Sequence, residues 1–174
     1  MIDFILYNDL ALSFAIENVI TFSFVLTFLI VLIRYKSEKS LKLGALVYAS
    51  SYILSNIAYG TLELLPNGSL IGPDFFYLQW IMYESLTIIL CFMIHLSMKI
   101  QHHEAVINAY RLSCINMFSC LIVHYLAIVK SVPDHWFYSV YSITVNTTAF
   151  LIVFLFVFNI KRSVDSCFLK FRLS

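Results

Sequence analysis

The chain has 174 residues, of which 61% are hydrophobic and 12% charged, and its mean hydropathy is +0.87. A soluble domain usually carries about 25% charged residues, so a single water-facing core is excluded and lipid has to solvate much of the surface. A formal net charge of +1 lacks the basic excess of a nucleic-acid binder, and no nucleic-acid partner is expected.

Five apolar stretches predict an all-α integral membrane protein, a bundle of five spanning helices, since about 20 apolar residues cross the hydrocarbon core. The opening MIDFILYNDL does not read as a signal peptide, because no basic segment precedes it and Asp3 and Asp9 interrupt it. The first span covers about 10–33 and ends at a charged loop holding Arg34, Lys36, Glu38 and Lys39. The second covers about 41–65 and stops at the turn signal Pro66-Asn67-Gly68. The third, about 75–98, follows Gly72-Pro73-Asp74, and the fourth covers about 105–129. The fifth, about 133–160, opens on a capping box, Ser131 to Asp134, with Pro133 in its first turn. Residues 1–174 thus read as one transmembrane domain, with 161–174 as a basic tail on the membrane surface. A barrel is excluded because runs such as Ala149 to Phe158 do not alternate polar with apolar residues.

Arg34, Lys36, Lys39, Lys42, Lys99, Lys161, Arg162, Lys170 and Arg172 fall on one side of this arrangement, and Lys130 on the other. The positive-inside rule then predicts an outside N-terminus and a cytoplasmic C-terminus, as five spans require. The expected location is the cell (inner) membrane.

Polar residues concentrate in the outer halves of the helices. Glu17 is about seven residues into the first span, roughly 10 Å deep, and Glu84 about nine into the third, roughly 13 Å. Ser55, Asn56 and Tyr59 on the second span, Ser119, Cys120 and His124 on the fourth, and Ser139, Ser142, Thr144 and Asn146 on the fifth share that half. The inner half of the fifth is apolar from Ala149 to Phe158. This asymmetry predicts a hydrated pocket open outward and closed below, with Glu17, Asn18, Asn56, Tyr59, Glu84, Cys120, His124 and Asn146 as candidate ligand- or ion-binding residues. For the hydroxyl residues alone, interhelical hydrogen bonding, at about 0.6–2 kcal/mol each, is the better reading. The carboxylates weigh more, because an acid in a span costs about 2.5 kcal/mol or more and needs a partner, water or a role.

If the hairpin between the third and fourth spans turns near His102, Glu84 is level with Cys120, and His124 comes within reach of it. Arg111 is expected to snorkel to the inner interface or to meet a lipid phosphate. The pair His102-His103 does not share a helix face, and Cys91, Cys114, Cys120 and Cys167 show no CxxC spacing, so neither a metal nor a cofactor is expected. Asn67-Gly-Ser is a sequon, too short a motif to establish glycosylation, and Cys167 is a weak acylation candidate. No nucleophile elbow or HExxH motif points to an enzyme. The leading expectation is a non-enzymatic membrane sensor or binding module that signals to a partner chain. The alternative is a cation or proton channel subunit acting as an oligomer. Membrane lipid and either a second copy or another membrane or cytoplasmic protein are the expected partners.

Overall fold

A computed structural model describes residues 2–62, 76–132 and 136–159, and every regular element among them is helical. The helices are α1 (Ile2–Arg34), α2 (Lys39–Leu62), α3 (Phe76–Ser97), α4 (Glu104–His124) and α5 (Phe137–Phe158). Four segments, Ala15–Arg34, Tyr77–Ser97, Glu104–Val129 and Phe137–Phe158, are long and apolar enough to cross a membrane. The fifth helix, α2, has 24 residues, roughly 36 Å, and is not among the segments apolar enough by that measure. The chain is therefore a five-helix bundle compatible with a multi-pass membrane protein.

Two boundaries differ from the sequence expectation. Helix α1 begins at Ile2, well before the expected start near residue 10, because an i→i+4 ladder is indifferent to the Asp3 and Asp9 that interrupt the apolar run. Helix α4 ends in a widened turn, Tyr125–Val129, where Lys130 N–H reaches back five residues to Tyr125 O at 3.0 Å. The supposed cap at Pro133-Asp134, the sequon at Asn67, Glu63, Asp74, Cys167 and the 161–174 tail lie outside the described residues.

Successive helices pack side by side, and α1 also packs on α5, so the five close into a ring in chain order. Helix α2 additionally touches α4 across it. The centre holds Phe24, Tyr48, Ile152 and Phe156, all buried. Close approach is made possible by small residues. Ala105, Ala109 and Ser113 recur every fourth residue on the buried face of α4. Opposite them, a Cβ on Gly44 would sit 2.7 Å from Val106 Cγ2 and 3.2 Å from Phe156 Cε1. Glycine thus allows a close helix approach at Gly44.

The surface supports lipid as solvent. Phe22, Ile33, Leu54, Phe118 and Ile143 are each exposed by 60% or more, whereas Thr27, Ser55, Glu84, Thr87, His95, Ser113, Asn116 and Thr148 are buried. Polar groups turned inward and large apolar groups turned outward are what a low-dielectric surround imposes.

Candidate functional site

One end of the bundle carries the α1–α2 and α3–α4 connections with Arg34, Lys36, Lys39, Lys42 and Lys99, and is called the basic end here; the opposite end is the far end. A cavity of about 290 Å³ occupies the far half. All five helices line it. Ile16, Glu17, Ile20 and Thr21 come from α1, Tyr52, Ser55 and Asn56 from α2, and Trp80 and Glu84 from α3. Asn116 and Cys120 come from α4, and Tyr141, Ser142, Val145, Asn146 and Ala149 from α5. Helical spacing explains the convergence: Trp80 and Glu84, Asn116 and Cys120, and Tyr141, Val145 and Ala149 are each four apart and so share a face.

Glu84 is held by a buried polar network. Asn116 Nδ2 donates to Glu84 Oε1 at 3.1 Å, and the Thr148 hydroxyl donates to Asn116 Oδ1. The Ser113 hydroxyl lies beside the same carboxyl group and is 3.2 Å from the Tyr48 hydroxyl. Side chains of α2, α3, α4 and α5 are thereby joined around one carboxylate. Toward α1, Asn56 Nδ2 donates to Asn18 Oδ1 at 3.1 Å and to Thr21 Oγ1 at 3.2 Å. Cys120 Sγ lies 3.8 Å from the Tyr141 hydroxyl. Beneath the cavity, Phe24 stacks on Tyr52 at 4.0 Å and Tyr48 tilts against Phe156 at 5.6 Å, which packs that level with rings.

Of the residues singled out from the sequence, Glu17, Asn56, Glu84, Cys120 and Asn146 line the cavity, and Asn18 supports Asn56 behind it. The side chain of Tyr59 lies outside the described residues. His124 does not line the cavity, its Nδ1 is buried without a hydrogen bond, and Glu84 bonds Asn116 instead. The reason is register. The Glu84–Asn116 pair centres on Ile100, whereas a pairing of Glu84 with Cys120 needs a turn centred on His102. Moving the centre by two residues moves the facing residue by four, one helical turn, and takes His124 out of reach. Arg111 is exposed and donates to Asn108 Oδ1 at 3.0 Å, remote from the cavity. Among the described residues no group of three or more His, Cys, Asp or Glu side chains is placed to hold a metal ion.

The sequence reading missed the aromatic walls, Tyr52, Trp80 and Tyr141, and the central role of Asn116. Their signal was present as stripes: Tyr48, Tyr52 and Ser55 on α2, and Ser113, Asn116 and Cys120 on α4, recur at three- and four-residue steps.

It also missed a second polar cluster at the basic end. His95, fully buried, places Nδ1 2.7 Å from the Cys91 carbonyl and Nε2 2.8 Å from Ser40 Oγ. A carbonyl only accepts, so Nδ1 carries the proton, and in the neutral ring Nε2 accepts from Ser40. Ser40 Oγ in turn accepts from His103 N–H at 2.8 Å, and His103 Nδ1 caps α4 by accepting from Ala105 N–H at 3.1 Å. His102 stacks on His95 with ring centroids 4.4 Å apart. Three helix ends are tied by one continuous run of donors and acceptors, which gives this cluster a structural role.

No family model matches the chain, and no curated protein or solved structure matches it. The site therefore has to be understood from its own residues.

Proposed function

We propose that the protein is a non-enzymatic membrane binding module or sensor whose ligand occupies the far-half cavity. All five helices would cross the cell membrane, with the N-terminus and the cavity mouth outside and the basic loops in the cytoplasm, following the distribution of Lys and Arg. The observation that carries this reading is that one cavity of about 290 Å³ takes lining residues from every helix of the bundle. Binding that contacts all five helices favours one packing of them over another, and a shift in helix packing can be passed to a partner chain or a second copy. Glu17 and Glu84 reinforce the reading, because acids in an apolar span are costly unless they serve a purpose.

A small-molecule screen by thermal unfolding of the purified protein in lipid nanodiscs tests the proposal. Ligands that stabilise the wild type are expected to lose their effect in Ser142→Trp, which fills the cavity from α5. Stabilisation unchanged in that variant places binding elsewhere and overturns the reading. The acidic lining, without Lys or Arg among the described lining residues, also suits a second reading, a cation or proton channel subunit. The ring-packed level beneath the cavity means that conduction would need an oligomer to complete the path. Proton or cation flux into proteoliposomes, abolished by Glu84→Gln, would favour that reading over the first.

A further inference from the structure

We infer that the cavity selects a small organic cation, an amine or a quaternary ammonium; the inference rests on the proposed binding function and names its ligand class. Four observations point to this chemistry. First, two carboxyl side chains, Glu17 and Glu84, line the cavity, and no Lys, Arg or His is among the described lining residues. An anionic ligand would meet like charge from two helices in a medium that screens poorly. Second, three aromatic side chains stand among the polar and aliphatic residues of the wall. Tyr52, Trp80 and Tyr141 come from three different helices, and the face of an aromatic ring attracts a cation by its quadrupole, tryptophan most strongly. Trp80 precedes Glu84 by one helical turn, so ring and carboxyl lie on the same side of α3.

Third, the lining does not suit an inorganic ion. Divalent ions favour sites built on several carboxylates, and among the described residues no group of three or more His, Cys, Asp or Glu side chains is placed to hold a metal ion. A bare monovalent ion would leave the aliphatic wall of Ile20, Val145 and Ala149 without a counterpart. Alkyl groups around a positive nitrogen match both kinds of wall at once. Fourth, the volume sits at the small end of the roughly 300–1,000 Å³ usual for ligand pockets, which suits a compact cation. Glu84 is also already oriented for the task. Asn116 holds its Oε1, and a carboxylate has further lone-pair sites available to a ligand.

Calorimetric titration of the full chain in lipid nanodiscs tests this with defined probes. These are alkylammonium ions from methylammonium to tetraethylammonium, choline, and 3,3-dimethylbutan-1-ol, the uncharged carbon analogue of choline. At least one ammonium ion is expected to bind, choline at least tenfold more tightly than its neutral analogue, and Glu84→Gln and Glu17→Gln are each expected to weaken the cations tenfold or more. In Glu84→Gln the amide oxygen keeps the acceptor that Asn116 needs, so the Asn116 bond is retained. Should Glu84→Gln fail to insert, the comparison of choline with its neutral analogue in the wild type still decides. Equal or tighter binding of the neutral analogue overturns the inference while leaving a ligand pocket in place. Binding of none of the ammonium ions also overturns it, and stabilisation by an uncharged compound, lost in Ser142→Trp, would then show that the binding function survives without cation selectivity.

Discussion

At the basic end, Ser40, His95 and His103 satisfy one another, and both ring nitrogens of His95 have a partner. In the far half, Glu17, Asn56, Glu84 and Asn146 surround a cavity of about 290 Å³ instead. Both regions place polar side chains inside an apolar bundle, and both do so on helices packed in the same ring. What separates them is closure. Where donors and acceptors are matched in pairs, the polar groups fix helix ends and helix spacing. Where they line a cavity, the donor and acceptor capacity not used between helices is open to a ligand. Burial of polar groups in a membrane bundle is therefore not in itself a sign of a site; the geometry around them decides.

Substitutions can break that contrast, and the largest effect is expected at the closed end. His95→Ala removes a fully buried ring together with its bonds to Ser40 and the Cys91 carbonyl, which should cost about 3 kcal/mol. Thermal or denaturant unfolding in detergent micelles would register it, and ligand affinity in whatever folded fraction remains should be unchanged. Next comes Gly44→Ala. Its Cβ would fall 2.7 Å from Val106 Cγ2, a branched side chain with little room to rotate, so α2 and α4 must separate, at about 1–3 kcal/mol by the same measurement.

Asn116→Ala sits between the two regimes. It removes the donor to Glu84 and the acceptor for Thr148, and a loss of about 1–2 kcal/mol is expected together with weakened ligand binding. At the cavity itself, Asn146→Ala should change stability by no more than about 0.5 kcal/mol while reducing binding, because the residue is only partly buried. A large stability loss there, with binding intact, would make the far half as structural as the basic end.

The smallest effect concerns pH. Burial pulls the His102 imidazole below its usual pKa of 6.5, and the neighbouring His95 adds to the shift. Its Nε2 is enclosed without a hydrogen bond, between the rings of His95 and Phe92 and the edge of Tyr110. A base with a lowered folded pKa binds fewer protons folded than unfolded, so stability falls as pH drops from 6.5 toward the folded value and is level above it. His102→Phe keeps a ring in the stack and removes the titration. Its unfolding temperature should vary less than that of the wild type between about pH 5 and 7. Equal slopes would show that the stack does not sense protonation.

Helix number and approximate boundaries were legible in the sequence because hydropathy is a local property that accumulates over 20 residues. The cavity lining was partly legible, since Glu17, Asn56, Glu84, Cys120 and Asn146 stand out by polarity and depth. Tyr52, Trp80 and Tyr141 did not, because an aromatic residue in a span reads as core or interface until its neighbours are known. The pairing of Glu84 was missed for a different reason. A hairpin turn displaced by two residues shifts the facing helix by a full turn, so Asn116 replaced Cys120 opposite Glu84 and His124 dropped out. The basic-end cluster joins Ser40 to His95 and His103 across 55 and 63 residues of sequence, and no local pattern encodes that meeting.

The central claim is that the far half encloses an aqueous binding cavity that opens away from the basic loops. Substituted-cysteine labelling tests it most directly, in a background where Cys91, Cys114, Cys120 and Cys167 are replaced by alanine. Asn146→Cys lines the cavity, and Ile143→Cys lies three residues away on the apolar surface of the same helix, where the native side chain is 67% exposed. A membrane-impermeant cationic thiol reagent added to oriented vesicles should modify Asn146→Cys from the side opposite the basic loops and leave Ile143→Cys unmodified. Modification of both positions alike, of neither, or of Asn146→Cys from the basic side would contradict the claim.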